Sequence, residues 1–104
     1  MIKKYYLVEI RVQSDWAEQF KGWLIPHMEE MSGLPCFYSH QLSRVENPKD
    51  DQSEVCYQAK YFFNEDSDFQ RYLQEFAEKM RGDLPGALRA QAEFRRALVE
   101  EKSL

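Results

Sequence analysis

The sequence predicts a small α+β domain in the order strand, helix, strand, strand, helix, with a tail able to close the sheet. Three observations carry this. Residues 4–12 and 55–63 alternate with the period of two that marks a half-buried strand. Apolar residues between 16 and 31, and again between 69 and 80, recur at intervals of three and four, the spacing of amphipathic helices. A polar run rich in turn formers, residues 46–53, separates the second and third predicted strands.

The first strand places Tyr6, Val8, Ile10 and Val12 on one face and Tyr5, Leu7, Glu9 and Arg11 on the other. Tyr5 and Leu7 make the second face partly apolar, so a homodimer through this sheet face is expected. Ser14 and Asp15 then offer N-caps, and Asp15-x-x-Glu18 has the spacing of a capping box. Trp16, Phe20, Trp23, Leu24, His27 and Met31 form the stripe of the first helix. Pro26 lies inside it and predicts a kink around residues 22–26. Gly33 and Pro35 end it.

Residues 36–45 read as a weaker strand, because Phe37, Leu42 and Val45 change parity; a bulge near His40 would account for that. Val55, Tyr57, Ala59, Tyr61 and Phe63 alternate cleanly as the third strand. Ser67-x-x-Gln70 has capping-box spacing, and Phe69, Tyr72, Leu73, Phe76, Ala77 and Met80 follow as one helix closed by Gly82. Residues 91–100 are ambiguous. Ala-Gln-Ala-Glu is good helix material, yet Phe94, Arg96 and Leu98 alternate with Arg95, Ala97 and Val99 as an edge strand would. A fourth strand would complete a ferredoxin-like βαββαβ unit: a four-stranded antiparallel sheet with two helices on one face.

The totals bound the function. A chain of 104 residues fits one domain, residues 1–104, which buries about two thirds of its unfolded surface. A net charge of −4 argues against nucleic acid, whose binders carry a basic surplus. The apolar stretch after Lys3-Lys4 is interrupted by Glu9 and Arg11, so it is no secretory core. No run reaches the ~20 apolar residues of a membrane span. A cytoplasmic protein without membrane attachment is expected. With residues 36–45 and 54–63 as a hairpin, Cys36 pairs near Phe62 or Phe63. Cys56 is then roughly 20 Å away at ~3.3 Å per residue, and both cysteines read as reduced thiols.

The string Trp23-Leu24-x-x-His27-Met28-x-x-Met31-x-x-Leu34-Pro35-x-Phe37 continues with Tyr61, Tyr72-Leu73, Met80-Arg81 and Arg95-Arg96-x-Leu98. Together these resemble a bacterial family, domain of unknown function 4286, over nearly the whole chain. The resemblance implies a dimeric α/β-barrel arrangement, in which two ferredoxin-like subunits pack sheet against sheet, and makes residues 91–100 a strand. Asp83-Leu84-Pro85-Gly86-Ala87-Leu88 departs from the short turn, containing Gly and Phe, that the family carries there. The family brings no assigned activity.

His27 is the sharpest candidate for chemistry. On the apolar stripe of the first helix, it is either a proton-transfer group at a pocket between helices and sheet or a core histidine bonded to backbone. Arg81, Arg89, Arg95 and Arg96 concentrate positive charge late in the chain. Arg81 and Arg96 are candidates to hold an anionic ligand such as a carboxylate. The alternative is ordinary pairing with Glu93, Glu100, Glu101 and the acids of neighbouring strands. Trp23 and Tyr61 are candidate ligand contacts; with Tyr38, Tyr57 and Tyr72 they either line a pocket for a flat ligand or haem, or form the core. Cys36 and His40, on a strand, are ~13 Å apart and do not share a metal. Asp50-Asp51 and Glu65-Asp66-x-Asp68 read as loop and helix-start charge. No phosphate loop or nucleophile elbow is present, and no cofactor or metal is expected. Two main functions fit: a non-catalytic homodimer binding a small molecule or partner protein, and a cofactor-independent monooxygenase- or isomerase-like enzyme using His27. A ligand-sensing domain acting through a partner chain is the third. A cavity walled by His27 favours the enzyme; a solid core with His27 bonded to backbone excludes it.

Overall fold

A computed structural model describes residues 2–46 and 53–102. Its elements are β1 (Ile2–Gln13), a 3-10 turn (Ser14–Trp16), α1 (Ala17–Ser32), β2 (Ser39–Val45) and β3 (Glu54–Phe63). Then follow α2 (Asp66–Glu75), α3 (Ala77–Gly82), α4 (Gly86–Arg89) and β4 (Ala92–Lys102). The strands form one sheet in the order β2-β3-β1-β4 with every neighbouring pair antiparallel. This is the α+β, ferredoxin-like βαββαβ arrangement. The tail is a strand because β1 has an open edge there: pairing from Val12↔Ala92 to Ile2↔Lys102 outweighs the helix propensity of Ala-Gln-Ala-Glu.

Register assigns every strand residue to a face, since side chains opposite one another share a side. Tyr6↔Tyr61 and Tyr6↔Leu98 put these three on the helix-covered face, together with Val8↔Arg96 and Ile10↔Phe94. The open face carries Tyr5↔Phe62, Leu7↔Lys60, Tyr5↔Val99 and Glu9↔Arg95. Arg95 and Arg96 thus point to opposite sides. The core lies between the inner face and the helices, centred on Ile10, Phe20, Leu24, Met28 and Tyr61, each at most 2% exposed. Burying side chains of this size contributes about 1.5–3 kcal/mol each. Tyr6, Phe69 and Tyr72 meet with ring centroids 5.1–6.0 Å apart, joining β1 to α2.

Several local expectations are corrected. Neither Ser14 nor Asp15 caps α1: the chain enters through the 3-10 turn, Trp16 is the N-cap, and no side chain caps it. The turn is fixed from its backbone instead, the Ser14 N–H donating to the Ser53 carbonyl at 2.8 Å. The capping box of α2 lies two residues earlier than the Ser67–Gln70 spacing suggests. Glu65 is the N-cap and Asp68 the reciprocal partner, accepting from the Glu65 N–H at 3.0 Å. The helix pattern from 67 to 82 is broken at Phe76 (φ −126°, ψ −26°) into α2 and α3. The five-residue step from Tyr72 to Ala77 overshoots a helical turn, and the break brings Ala77 and Met80 back to the core. Leu73 falls off that face and is 40% exposed. No bulge is needed at His40, because β2 begins only at Ser39 and pairs without interruption to Val45. Phe37 precedes the strand, hence the parity change. For the same reason Cys36 has no strand partner at Phe62 or Phe63; Phe62 pairs with Ser39. Among the described residues neither cysteine is in a disulfide. Helix α1 runs without interruption through Pro26. The polar loop lies outside the described residues from 47 to 52. Among the described residues no helix is long and apolar enough to cross a membrane.

Candidate functional site

Helical periodicity places Trp23, Leu24, His27 and Met31 on the sheet-facing stripe of α1. Beneath them the inner face of the sheet offers Tyr6, Val8 and Ile10 from β1, Tyr61 from β3, and Phe94 and Arg96 from β4. The helices do not fill this space. They leave a cavity of about 510 Å³, counting its open mouth, and these residues line it together with Tyr72, Met80, Arg81, Leu84 and Arg89.

All five residues proposed from the sequence for binding or catalysis, Trp23, His27, Tyr61, Arg81 and Arg96, line this one cavity. They come from α1, β3, α3 and β4, so only the folded topology brings them together. Tyr38 stands apart: it is 58% exposed and lies near Phe62 on the open face, with centroids 6.2 Å apart. Tyr57 is buried but does not line the cavity.

His27 sits one turn beyond Trp23 and stacks on it, centroids 4.4 Å apart and planes 22° from parallel. Its Nδ1 is buried with no hydrogen-bond partner among the described residues. Native proteins satisfy nearly all such atoms, so this one is left to bond whatever occupies the cavity, ligand or water. Burial holds the His27 pKa below its ordinary value, against the smaller upward pull of Glu30 and Asp83. The imidazole is therefore neutral at physiological pH, and a neutral imidazole accepts a proton.

The arginines supply the site's charge. Arg81 Nη2 donates to Tyr6 Oη at 3.3 Å, and Arg89 Nη2 donates to the Arg81 carbonyl at 2.8 Å. The Arg96 guanidinium lies 5.4 Å from the Phe94 ring centroid. Burial pushes the Tyr61 phenol far up and that of Tyr72 up to about 12, although Arg81 and Arg96 pull Tyr72 the other way. The pairing of late arginines with Glu93, Glu100 or Glu101 does not form: Glu100 pairs with Lys102 at 3.7 Å, and Glu101 accepts from the Tyr5 hydroxyl at 2.8 Å. Tyr6 was legible from the sequence only as core. A tyrosine where phenylalanine would pack equally well is the available signal, because its hydroxyl needs a partner.

A family model described as domain of unknown function (DUF4286) matches residues 3–101. No curated protein matches the chain. Among solved structures it is similar to a variant of SnoaB, a cofactor-independent oxygenase from Streptomyces nogalater. That likeness has a TM-score of 0.65 and 17% identity over 97% of this chain and 95% of that one. It is similar also to a dimeric ferredoxin-like protein from an uncultured marine organism, with a TM-score of 0.64 and 14% identity over 98% of each chain. A third is the heme-degrader MhuD from Mycobacterium tuberculosis with two hemes bound in its active site. Here the TM-score is 0.65 and the identity 16%, over 97% of this chain and 95% of that one. At such identities the likeness establishes the fold alone.

Proposed function

This chain belongs to the DUF4286 family, whose description assigns no activity, and we propose that it is a homodimer that takes a small organic molecule into the cavity beneath α1, where His27 accepts a proton from it. The observation that carries this is the buried, unpartnered Nδ1 of His27 at the cavity wall. A core histidine bonded to backbone would have no such free atom. Proton abstraction by a neutral imidazole opens a reaction that needs no bound cofactor, such as an isomerisation in which the proton returns elsewhere on the ligand. The shared fold of a cofactor-independent oxygenase agrees with this reading without supplying its warrant, since one scaffold hosts many activities.

Binding without turnover is the second reading. It is favoured by the lining of the cavity, which among the described residues holds no carboxylate to act as a second proton acceptor beside His27.

The homodimer forms through the open face of the sheet. Tyr5, Leu7, Phe62 and Val99 make its apolar centre by register, and the dimeric ferredoxin-like relative supports pairing of this kind. Native mass spectrometry on gently purified protein tests both parts. The expected species is a dimer carrying a reproducible extra mass that the His27→Phe variant lacks. A monomer at micromolar concentration overturns the dimer; a bound mass unaffected by His27→Phe overturns the role of His27.

A further inference from the structure

We infer that the cavity selects an aromatic carboxylate, its acid group held by the guanidinium groups of Arg81 and Arg96 and its ring by the aromatic walls. The inference rests on the small-molecule reading above and names the class of ligand. Three side chains lining the cavity, Arg81, Arg89 and Arg96, carry a full positive charge, and no carboxylate lines it. Among the described residues none of the three has an acidic partner within ion-pair distance. The neighbouring acids are committed or turned away: Glu100 to Lys102, Glu101 to Tyr5, Glu30 and Asp83 to Lys79, and Glu93 on the open face opposite Arg11.

The chain as a whole is acidic, at −4, so the three guanidinium groups form a local positive site rather than part of a general field. Each retains donors. A guanidinium has five N–H groups; those of Arg81 reach the hydroxyls of Tyr6 and Tyr72, and one on Arg89 goes to the Arg81 carbonyl. Arg96 lies against the Phe94 ring, an arrangement that leaves a planar fork for two parallel bonds to a carboxylate. Tyr6 Oη accepts from Arg81, so its own proton is available to the same anion. The rest of the wall is apolar or aromatic, including Val8, Leu24, Met31 and the Trp23–His27 stack, which suits a ring and disfavours a heavily hydrated polyanion.

The test compares 2-naphthoate, 2-naphthylmethanol and 2-naphthyl phosphate by calorimetry on the full chain, with the His27 ring followed by NMR. The expected result is naphthoate binding at least about tenfold more tightly than the alcohol, the size of one charge-assisted hydrogen bond. Arg96→Gln is expected to remove that preference, and Arg96→Lys, which keeps the charge without the fork, to restore it only in part. Equal binding of acid and alcohol, with the His27 signal moving, overturns the choice of a carboxylate while the cavity reading stands. Tighter binding of the phosphate overturns the carboxylate in favour of a phosphate ester. If none of the three moves the His27 signal, the cavity reading falls with it.

Discussion

Trp23 and His27 lie stacked one helical turn apart on α1, 4.4 Å between ring centroids, and both line the same cavity. The stack fixes the imidazole plane without engaging its nitrogens. Position is thus supplied by one face of the ring, and Nδ1 stays free. His27→Phe separates these two roles. It keeps a flat ring on Trp23 and removes a buried, unsatisfied polar atom whose penalty is about 1–3 kcal/mol. Urea denaturation is expected to show stability unchanged or raised, together with loss of the bound mass. A destabilisation above about 1 kcal/mol would mean that His27 has a structural partner.

The pH dependence follows from the downward shift of His27. Its unfolded value is near 6.5, so as pH falls the unfolded chain takes up the proton first. The contribution of neutral His27 is complete above that value. It is lost as pH falls from there to the lower folded value. Denaturation between about pH 5 and 8 is expected to show this decline in the wild type, with the step missing in His27→Phe. An identical profile in both proteins would place the titration elsewhere.

The Glu65–Asp68 capping box fixes the start of α2, which carries Phe69 and Tyr72 into the core. Asp68→Ala removes the acceptor for the Glu65 N–H and an acid from the first turn. A loss of about 0.5–2 kcal/mol is expected on denaturation. Ser67→Ala, at the position that the sequence spacing favours, is expected to change stability by less than about 0.5 kcal/mol. The reverse order of effects would restore Ser67 as the cap.

Leu7 lies on the open face between Lys60 and Ala97 in the register. Leu7→Glu sets a charge in the proposed dimer interface and is expected to shift sedimentation from dimer to monomer with the helical circular dichroism unchanged. A variant that stays dimeric would place the interface elsewhere.

Much of the fold is legible in the sequence because two periods dominate it. The alternation of Tyr6 to Val12 and of Val55 to Phe63 names the buried faces of the two central strands, and both hold in the structure. The tail is not legible from propensity, since its pairing partner lies at the far end of the sequence and only tertiary context chooses strand over helix. The start of α2 misleads because Ser67 satisfies the familiar pattern, while Glu65 and Asp68 form the box with acids in both positions. At the site, residue type points to His27 and the arginines. Residue type does not show that α4 carries Arg89 to the same cavity, or that the hydroxyl of Tyr6 meets Arg81.

The sheet order sets a timetable for the chain. Strand β1 occupies an interior position between β3 and β4, so one of its two edges waits for the last strand to be synthesised. Pairings this distant in sequence close the largest loop available and slow folding. Until β4 leaves the ribosome, that edge of β1 is open to wrong partners. Arg96, which meets Val8 in the sheet, arrives in the same late step. The Arg96 side of the cavity is therefore the last part of it to be built, and a truncated nascent chain would carry His27 and Arg81 with half of the proposed carboxylate clamp still missing.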